Sequence, residues 1–280
     1  MKKMHTIFLV LMLLASYAVN SQIIYEQKDK EILNEVFHQF RNSTDKSTAE
    51  LVVLVGDFFK ETPYVAHTLE TEPEQLVLNL REMDCTTYAE NCLSIARTLK
   101  NGNLTFEEFA KELTAIRYRN GIISGYSSRL HYFSDWIYEN DKQGLIKRLS
   151  EEIANTPYPL EINFMSSHPD SYKQLKLHNN LIPVLAEKEE EISGRQMFYI
   201  PKNSVSKFES KIKDGDIVGI TTSVEGLDIT HVGIIINKNG RVHLMHASSV
   251  AEKVILSENT LEDYLAERKS ATGIMIVRPI

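Results

Sequence analysis

Cysteine and histidine are the side chains best suited to nucleophilic chemistry near neutral pH. Cys85 stands in Met83-Asp84-Cys85-Thr86-Thr87-Tyr88, at the predicted start of a helix. There the positive end of the helix dipole is expected to favour the thiolate, the nucleophilic form. His231 opens the run Thr230-His231-Val232-Gly233-Ile234, and His246 closes the next, Leu244-Met245-His246-Ala247-Ser248. A nucleophile, a base and a group that orients the base are what covalent acyl transfer requires.

The two histidines can be placed against each other from spacing alone. Asn239-Gly240 is a preferred two-residue hairpin turn, so Lys238 pairs with Arg241 and opposed positions sum to 479. His231 then faces position 248 and His246 faces position 233. Side chains alternate along strands, so both rings project on one face, a diagonal step apart and within reach. One can act as base while the other orients it. His243 falls on the opposite face from His246 and is read as structural or solvated.

Plainer readings stand beside this one. Cys85 alone suits a buried helical thiol, and each histidine alone suits a satisfied polar residue at a strand end. Cys plus two His also suits zinc, but the chain has no C-x-x-C or H-E-x-x-H, so no metal is expected. A Cys85–Cys92 disulfide fails on geometry. Seven residues of helix put the two Cα atoms about 10 Å apart, beyond the roughly 7 Å that a disulfide spans. Both thiols should be free, with Cys92 serving as packing.

The elements that must hold these residues follow from periodicity. Ile32, Leu33, Val36, Phe37 and Phe40 share a helical face. Ser47 with Glu50 reads as a capping box, and Thr105 with Glu108 caps another helix. A short strand is expected at Leu76–Leu80, then a helix from Cys85 to about Leu99. The stretch from Arg117 to Asn140 is rich in aromatic residues, and the pattern from there to about Ser193 is mixed. The last eighty residues change period: Met197–Ile200, Ile217–Thr221, Val232–Ile236, Val242–His246, Lys253–Leu256 and Ile274–Val277 read as strands. Thr260 and Asp263 open one short helix before the last of them. Helices followed by antiparallel strands predict an α+β domain, with helices packed on a small twisted sheet.

Of 280 residues, 42% are hydrophobic and 25% charged, which excludes collagen-like, low-complexity and largely disordered classes. Lys plus Arg total 31 against 38 Asp plus Glu, a net charge of −7. Without a basic stripe, nucleic acid is not an expected partner. Lys2 and Lys3 precede an uncharged apolar run from Ile7 to Val19, followed by Asn20 and Ser21. This is the pattern of a secretory signal peptide, and the run is shorter than the roughly 20 residues of a membrane-spanning helix. A retained membrane anchor is the other reading of the same segment. Cleavage after Ser21 is expected, giving an exported, periplasmic protein that meets the membrane only through residues 1–21. Removing Lys2 and Lys3 leaves 29 bases against 38 acids, a charge of −9. No repeat or linker divides residues 22–280, which read as a single catalytic domain with a helical N-terminal elaboration.

Pro63-Tyr64, Asp84-Cys85-Thr86, His231-Val232-Gly233-Ile234 and His246-Ala247-Ser248, in that order, resemble the NlpC-type cell-wall cysteine peptidase superfamily, which has a papain-like fold. Leu80 to Leu99, Arg129-Leu130-His131-Tyr132-Phe133-Ser134-Asp135-Trp136 and Gly226-Leu227-Asp228 are similar to its N-acetylmuramoyl-L-alanine amidase-like branch. The resemblance runs from about Thr62 to the C-terminus. It implies a papain-like α+β fold, a small antiparallel sheet or half-barrel with packed helices. Cys85 would be the nucleophile, His231 the base and acid, and His246 the orienting residue. Tyr64 would lie beside the nucleophile and help the oxyanion site. The superfamily often carries Gly-Gly after that tyrosine and Ser-Gly after the cysteine, where this chain has Ala66-His67 and Thr86-Thr87, so the cleft walls must differ.

The substrate implied is a muropeptide or peptidoglycan fragment, without cofactor, taken by a monomer. The bond expected to break joins N-acetylmuramic acid to L-alanine; a D-glutamyl–diamino acid endopeptidase or a non-catalytic muropeptide-binding module are the alternatives. Arg129, His131, Tyr132 and Trp136 suit a sugar face and a carboxylated peptide, because aromatics stack on sugars and Arg grips carboxylates. Core or loop packing is the plainer reading of that aromatic run. Asp228 is expected to accept a hydrogen bond from substrate. Ser248 either lines the cleft or ends its strand.

Overall fold

The computed structural model describes residues 23–280, so the segment expected to direct export lies outside them. Among the described residues no helix is long and apolar enough to cross a membrane. Four helices come first: α1 (Gln27–Phe40), α2 (Thr48–Phe58), α3 (Cys85–Asn101) and α4 (Phe106–Arg117). Side chains start them where the sequence indicates. Ser47 and Glu50 exchange the two bonds of a capping box on α2. Thr105 accepts from the Glu108 N–H at 3.2 Å on α4.

The cap on α3 matters most, because it sets the orientation of Cys85. Thr87 N–H donates to Asp84 Oδ1 at 2.8 Å, and Asp84 N–H donates to Thr87 Oγ1 at 2.9 Å. Four orphan N–H groups at a helix start need such partners, so Cys85 is held at the first position of the helix. From Thr87 to Leu99 only Arg97 escapes full burial. A helix buried nearly all round, its polar Glu90, Asn91, Ser94 and Thr98 included, lies in the middle of the protein. Here α3 packs against α2, α4 and the sheet.

The strands are β1 (Ile146–Arg148), β2 (Thr156–Tyr158), β3 (Met197–Pro201), β4 (Ile217–Thr222), β5 (Ile229–Lys238), β6 (Arg241–Ser248), β7 (Lys253–Thr260) and β8 (Ala271–Pro279). They form one sheet in the order β2-β3-β8-β4-β5-β6-β7, with β1 also paired to β8. Every pairing of named strands is antiparallel. Three further helices are α5 (Phe133–Lys142), α6 (Leu181–Ser193) and α7 (Leu261–Ala266), alongside several shorter turns of helix.

Alternation along β5 and β6 divides the core in two. Val232, Ile234, Met245 and Ala247 join the larger cluster with α3, while Ile235, Val242 and Leu244 join a smaller one with Leu261 and Leu265 of α7. By the same alternation His231 and His246 belong to the α7 face. Asn239 and Gly240 both adopt positive φ, 55° and 78°, as a hairpin turn matched to strand twist requires. The register is the expected one, from Lys238 opposite Arg241 to Ile234 opposite Met245. His243 takes the other face and is buried, with Nδ1 donating to the Ser257 carbonyl at 3.1 Å.

One sequence expectation is corrected and one gap filled. Leu76–Leu80 is not a strand: Val77 makes a single parallel bridge to Ile24, and Asp29 of α1 accepts the Leu80 N–H at 2.8 Å. No neighbouring strand is there to extend the ladder, so α1 and a loop satisfy the backbone instead. The unplaced middle holds β1, β2 and α6. The two strands have three residues each, too few for a period to register, and β2 contains Pro157.

Candidate active site

Three segments converge at the start of α3. The Pro63–Tyr64 strip lies beside Met83, with Met83 N–H donating to the Pro63 carbonyl at 3.0 Å and Val65 N–H to the Met83 carbonyl at 3.2 Å. This brings Tyr64 next to Cys85, and burial together with the nearby Cys85 and Asp84 raises its phenol pKa. The start of β5 closes the other side, where the backbone of Val232 hydrogen-bonds the Cys85 thiol. His231 is the residue before it. No hydrogen bond joins Cys85 to His231 directly among the described residues.

The histidine pair is closed. His231 Nε2 and His246 Nδ1 lie 2.6 Å apart with the rings nearly perpendicular, at 88°. One proton sits between two nitrogens, so one ring donates and the other accepts. If His231 donates through Nε2, its Nδ1 is left as a base. Burial is the main cause holding both rings neutral, bringing His231 down to about 3 and His246 down to about 4, with the Arg268 charge acting in the same direction.

The thiol departs from expectation. Burial, followed by the Asp84 carboxylate, pushes Cys85 up to about 11, against smaller opposing contributions from Val232 and Thr86. Desolvation outweighs the helix dipole here, so the resting side chain is a thiol beside a neutral imidazole pair rather than a thiolate. Cys85 and Cys92 are both free.

Cys85 opens onto a cleft of about 210 Å³ walled by α3, the lead into α5 and the segment before β5. His131, Tyr132, Trp136 and Asp228 all line it, whereas His231 and His246 lie behind the strand. A second, more polar cleft of about 580 Å³ shares Thr86, Glu90, Leu130, His131 and Tyr172 with the first, and Arg129 lies in its wall. The two clefts therefore adjoin at these shared residues.

The expected binding residues fare unequally. Trp136 is buried and stacks on Phe133 at 5.4 Å and 9°, and its indole N–H faces no acceptor. Tyr132 gives its hydroxyl proton to Glu189 of α6 at 2.6 Å. His131 donates from Nε2 to the Tyr126 carbonyl at 2.9 Å, which leaves Nδ1 as an acceptor, and burial keeps it neutral with a pKa of about 3. Arg129 is not free for a substrate carboxylate: it is buried against Glu70 at 2.9 Å and Glu74 at 3.4 Å. Asp228 has both oxygens occupied by the backbone N–H groups of Ser134 and Ile229, at 2.6 and 2.8 Å. Ser248 is absent from both clefts and accepts the Ala251 N–H at 3.1 Å, closing the turn after β6.

Tyr264 is the neighbour that sequence reasoning did not single out. It sits on α7 against both histidine rings, 6.2 Å from His231 and 5.4 Å from His246 between centroids. The spacing Tyr264–Arg268, one helical turn after the Thr260 cap, was the available signal.

A family model described as AmiA-like, N-acetylmuramoyl-L-alanine amidase-like, matches residues 54–274. The chain belongs to that AmiA-like family. No curated protein matches it. An N-acetylmuramoyl-L-alanine amidase from Bacteroides uniformis is 38% identical with a TM-score of 0.80, the match covering 83% of this chain and 98% of that one. A Bacteroides fragilis protein provisionally described as a xylanase is 40% identical with a TM-score of 0.77, over 80% and 99% of the two chains. A Legionella pneumophila protein at 24% identity and a TM-score of 0.66 shares the fold, over 90% and 95%. In this AmiA-like chain, residues 54–274 contain Cys85, both histidines and both clefts.

Proposed function

We propose that the protein is a cysteine-dependent amidase with an NlpC-type, papain-like site, cleaving the bond between N-acetylmuramic acid and L-alanine in peptidoglycan fragments. The observation that carries this reading is the pairing of His231 with His246 behind a Cys85 that opens onto the substrate cleft. Membership of the AmiA-like family supports the choice of bond.

The chemistry follows from the groups present. His231 Nδ1 takes the Cys85 proton as sulfur attacks the lactyl carbonyl of the muramic acid, while His231 Nε2–H stays bonded to His246. Because the resting pair is a thiol and a neutral base, the proton moves with the attack. The Cys85 backbone N–H, at the first position of α3, has no intrahelical acceptor and is available to the developing oxyanion beside Tyr64. The imidazolium then protonates the leaving amine of L-alanine. Water, deprotonated by the same nitrogen, releases the thioester. The apolar cleft with Trp136 and Met165 suits the sugar, and the polar one suits the peptide. Export into the periplasm would put the enzyme where such fragments arise.

Mass spectrometry of defined muropeptides incubated with the chain and with Cys85→Ala tests this. Release of a stem peptide beginning with L-alanine, absent with Cys85→Ala, is the expected result. Release of a sugar-linked dipeptide would move the bond to the D-glutamyl position, and no cleavage of any muropeptide would overturn the enzymatic reading.

A further inference from the structure

The series Cys85, His231 and His246, hydrogen-bonded between its two histidines, lacks a described end. His246 Nε2 is buried and has no hydrogen-bond partner. If His231 Nδ1 is to act as base, His231 must donate from Nε2 to His246 Nδ1, and the neutral His246 ring then carries its own proton on Nε2. A buried donor with no acceptor is costly, and that cost would favour the wrong tautomer, with the proton on His246 Nδ1 and His231 Nδ1 blocked.

Tyr264 offers a receiver. Its ring stands nearly perpendicular to the His246 ring, at 79° and 5.4 Å between centroids, an arrangement that allows an N–H edge to point at a π face. Arg268, two residues past the end of α7, fixes that ring. Its guanidinium carbon lies 3.3 Å from the Tyr264 ring centre, and Nη1 donates to the Tyr264 carbonyl at 2.8 Å. With one face under the guanidinium, the histidine edge must use the other. No carboxylate pairs with Arg268 among the described residues, so its charge bears undivided on the imidazoles.

We propose that Tyr264, clamped by Arg268, is a positioning residue that ends the catalytic chain: its ring receives His246 Nε2–H and so selects the tautomer leaving His231 Nδ1 open to the Cys85 proton. This rests on the reading of Cys85, His231 and His246 as the reacting group. The groups facing the two rings are each other, Tyr264 of α7 and Arg268 just past the end of that helix, with Cys85 near Tyr264. The Arg268 charge opposes protonation of either imidazole, which keeps the base available in mildly acid solution.

Nitrogen-15 NMR of the histidine side chains in the full chain tests the tautomers without any substrate. The expected wild-type spectrum has the proton on Nε2 in both His231 and His246, and Nδ1–H on His246 would overturn the proposal. Tyr264→Phe keeps the ring and should keep both tautomers and muropeptide turnover within about threefold. Tyr264→Leu should mix the tautomers and lower kcat by about tenfold or more while KM changes little. Arg268→Met should raise both imidazole pKa values by about half a unit or more, read directly from the nitrogen shifts. If Tyr264→Leu fails to fold, the wild-type spectrum and Arg268→Met still decide. Correct tautomers without muropeptide cleavage would refute the amidase reading and leave this one intact.

Discussion

Asp228 Oδ2 accepts the Ser134 N–H at 2.6 Å, and through that bond the segment before β5 is tied to the first turn of α5. Its other oxygen takes the Ile229 N–H at 2.8 Å. Both walls of the cleft beyond Cys85 thus hang on one buried carboxylate. Asp228→Ala leaves two buried N–H groups unpaired, and at about 1.5–3 kcal/mol for each bond to a charged group the loss should be several degrees of Tm or more. Asp228→Asn keeps one acceptor and should lose less. A thermal melt of both variants checks the order, and equal melting points would remove Asp228 from this role.

Gly219 of β4 lets Phe133 lie flat against the sheet. A Cβ at that position would meet the Phe133 ring atoms Cδ1 and Cε1. Phe133 stacks on Trp136, so the displacement should pass to the cleft wall. Gly219→Ala is expected to cost about 1–3 kcal/mol by overpacking and to raise KM more than it lowers kcat. An unchanged melting point with unchanged kinetics would show that the ring has room to move.

The Cys85 thiol should behave as a buried one until substrate or base acts on it. With its pKa pushed up to about 11, iodoacetamide labelling should be slow at neutral pH and rise about tenfold per pH unit above it. Labelling that is fast and flat from pH 6 to 9 would mean that the thiolate is already present and that the dipole outweighs burial after all.

Acid should weaken the fold through the histidine pair. Both imidazoles ionise more readily when unfolded, near 6.5, than when folded, at about 4 for His246 and about 3 for His231. Below that unfolded value the unfolded chain binds more protons, so their contribution is complete above pH 6.5 and is lost as pH falls toward 3. Denaturant midpoints measured at pH 7, 5.5 and 4.5 should decline more steeply for the wild type than for His231→Gln/His246→Gln. Parallel slopes would contradict the assigned burial.

Much of the site was legible because the hairpin is a local object. Asn239-Gly240 sets the turn, the turn sets the register, and the register alone brings His231 and His246, fifteen residues apart, to 2.6 Å. Caps at Ser47, Asp84, Thr105 and Thr260 were likewise available to inspection, since each partner lies three residues away. Leu76–Leu80 misled for the opposite reason: an apolar run does not say whether a strand stands beside it.

The sequence by itself thus determined the six strands from Met197 onward, the helix that begins at Cys85 and the histidine pair, because short-range geometry and side-chain alternation suffice for these. Tertiary structure alone decided what surrounds them. It placed Val232 on the thiol and Tyr264 against both imidazoles, and it committed Arg129 to Glu70 and Glu74. It also reversed the expected state of Cys85, from thiolate to thiol. Burial is a property of the assembled core, where desolvation of a charge outweighs the dipole of the one helix that the sequence made visible.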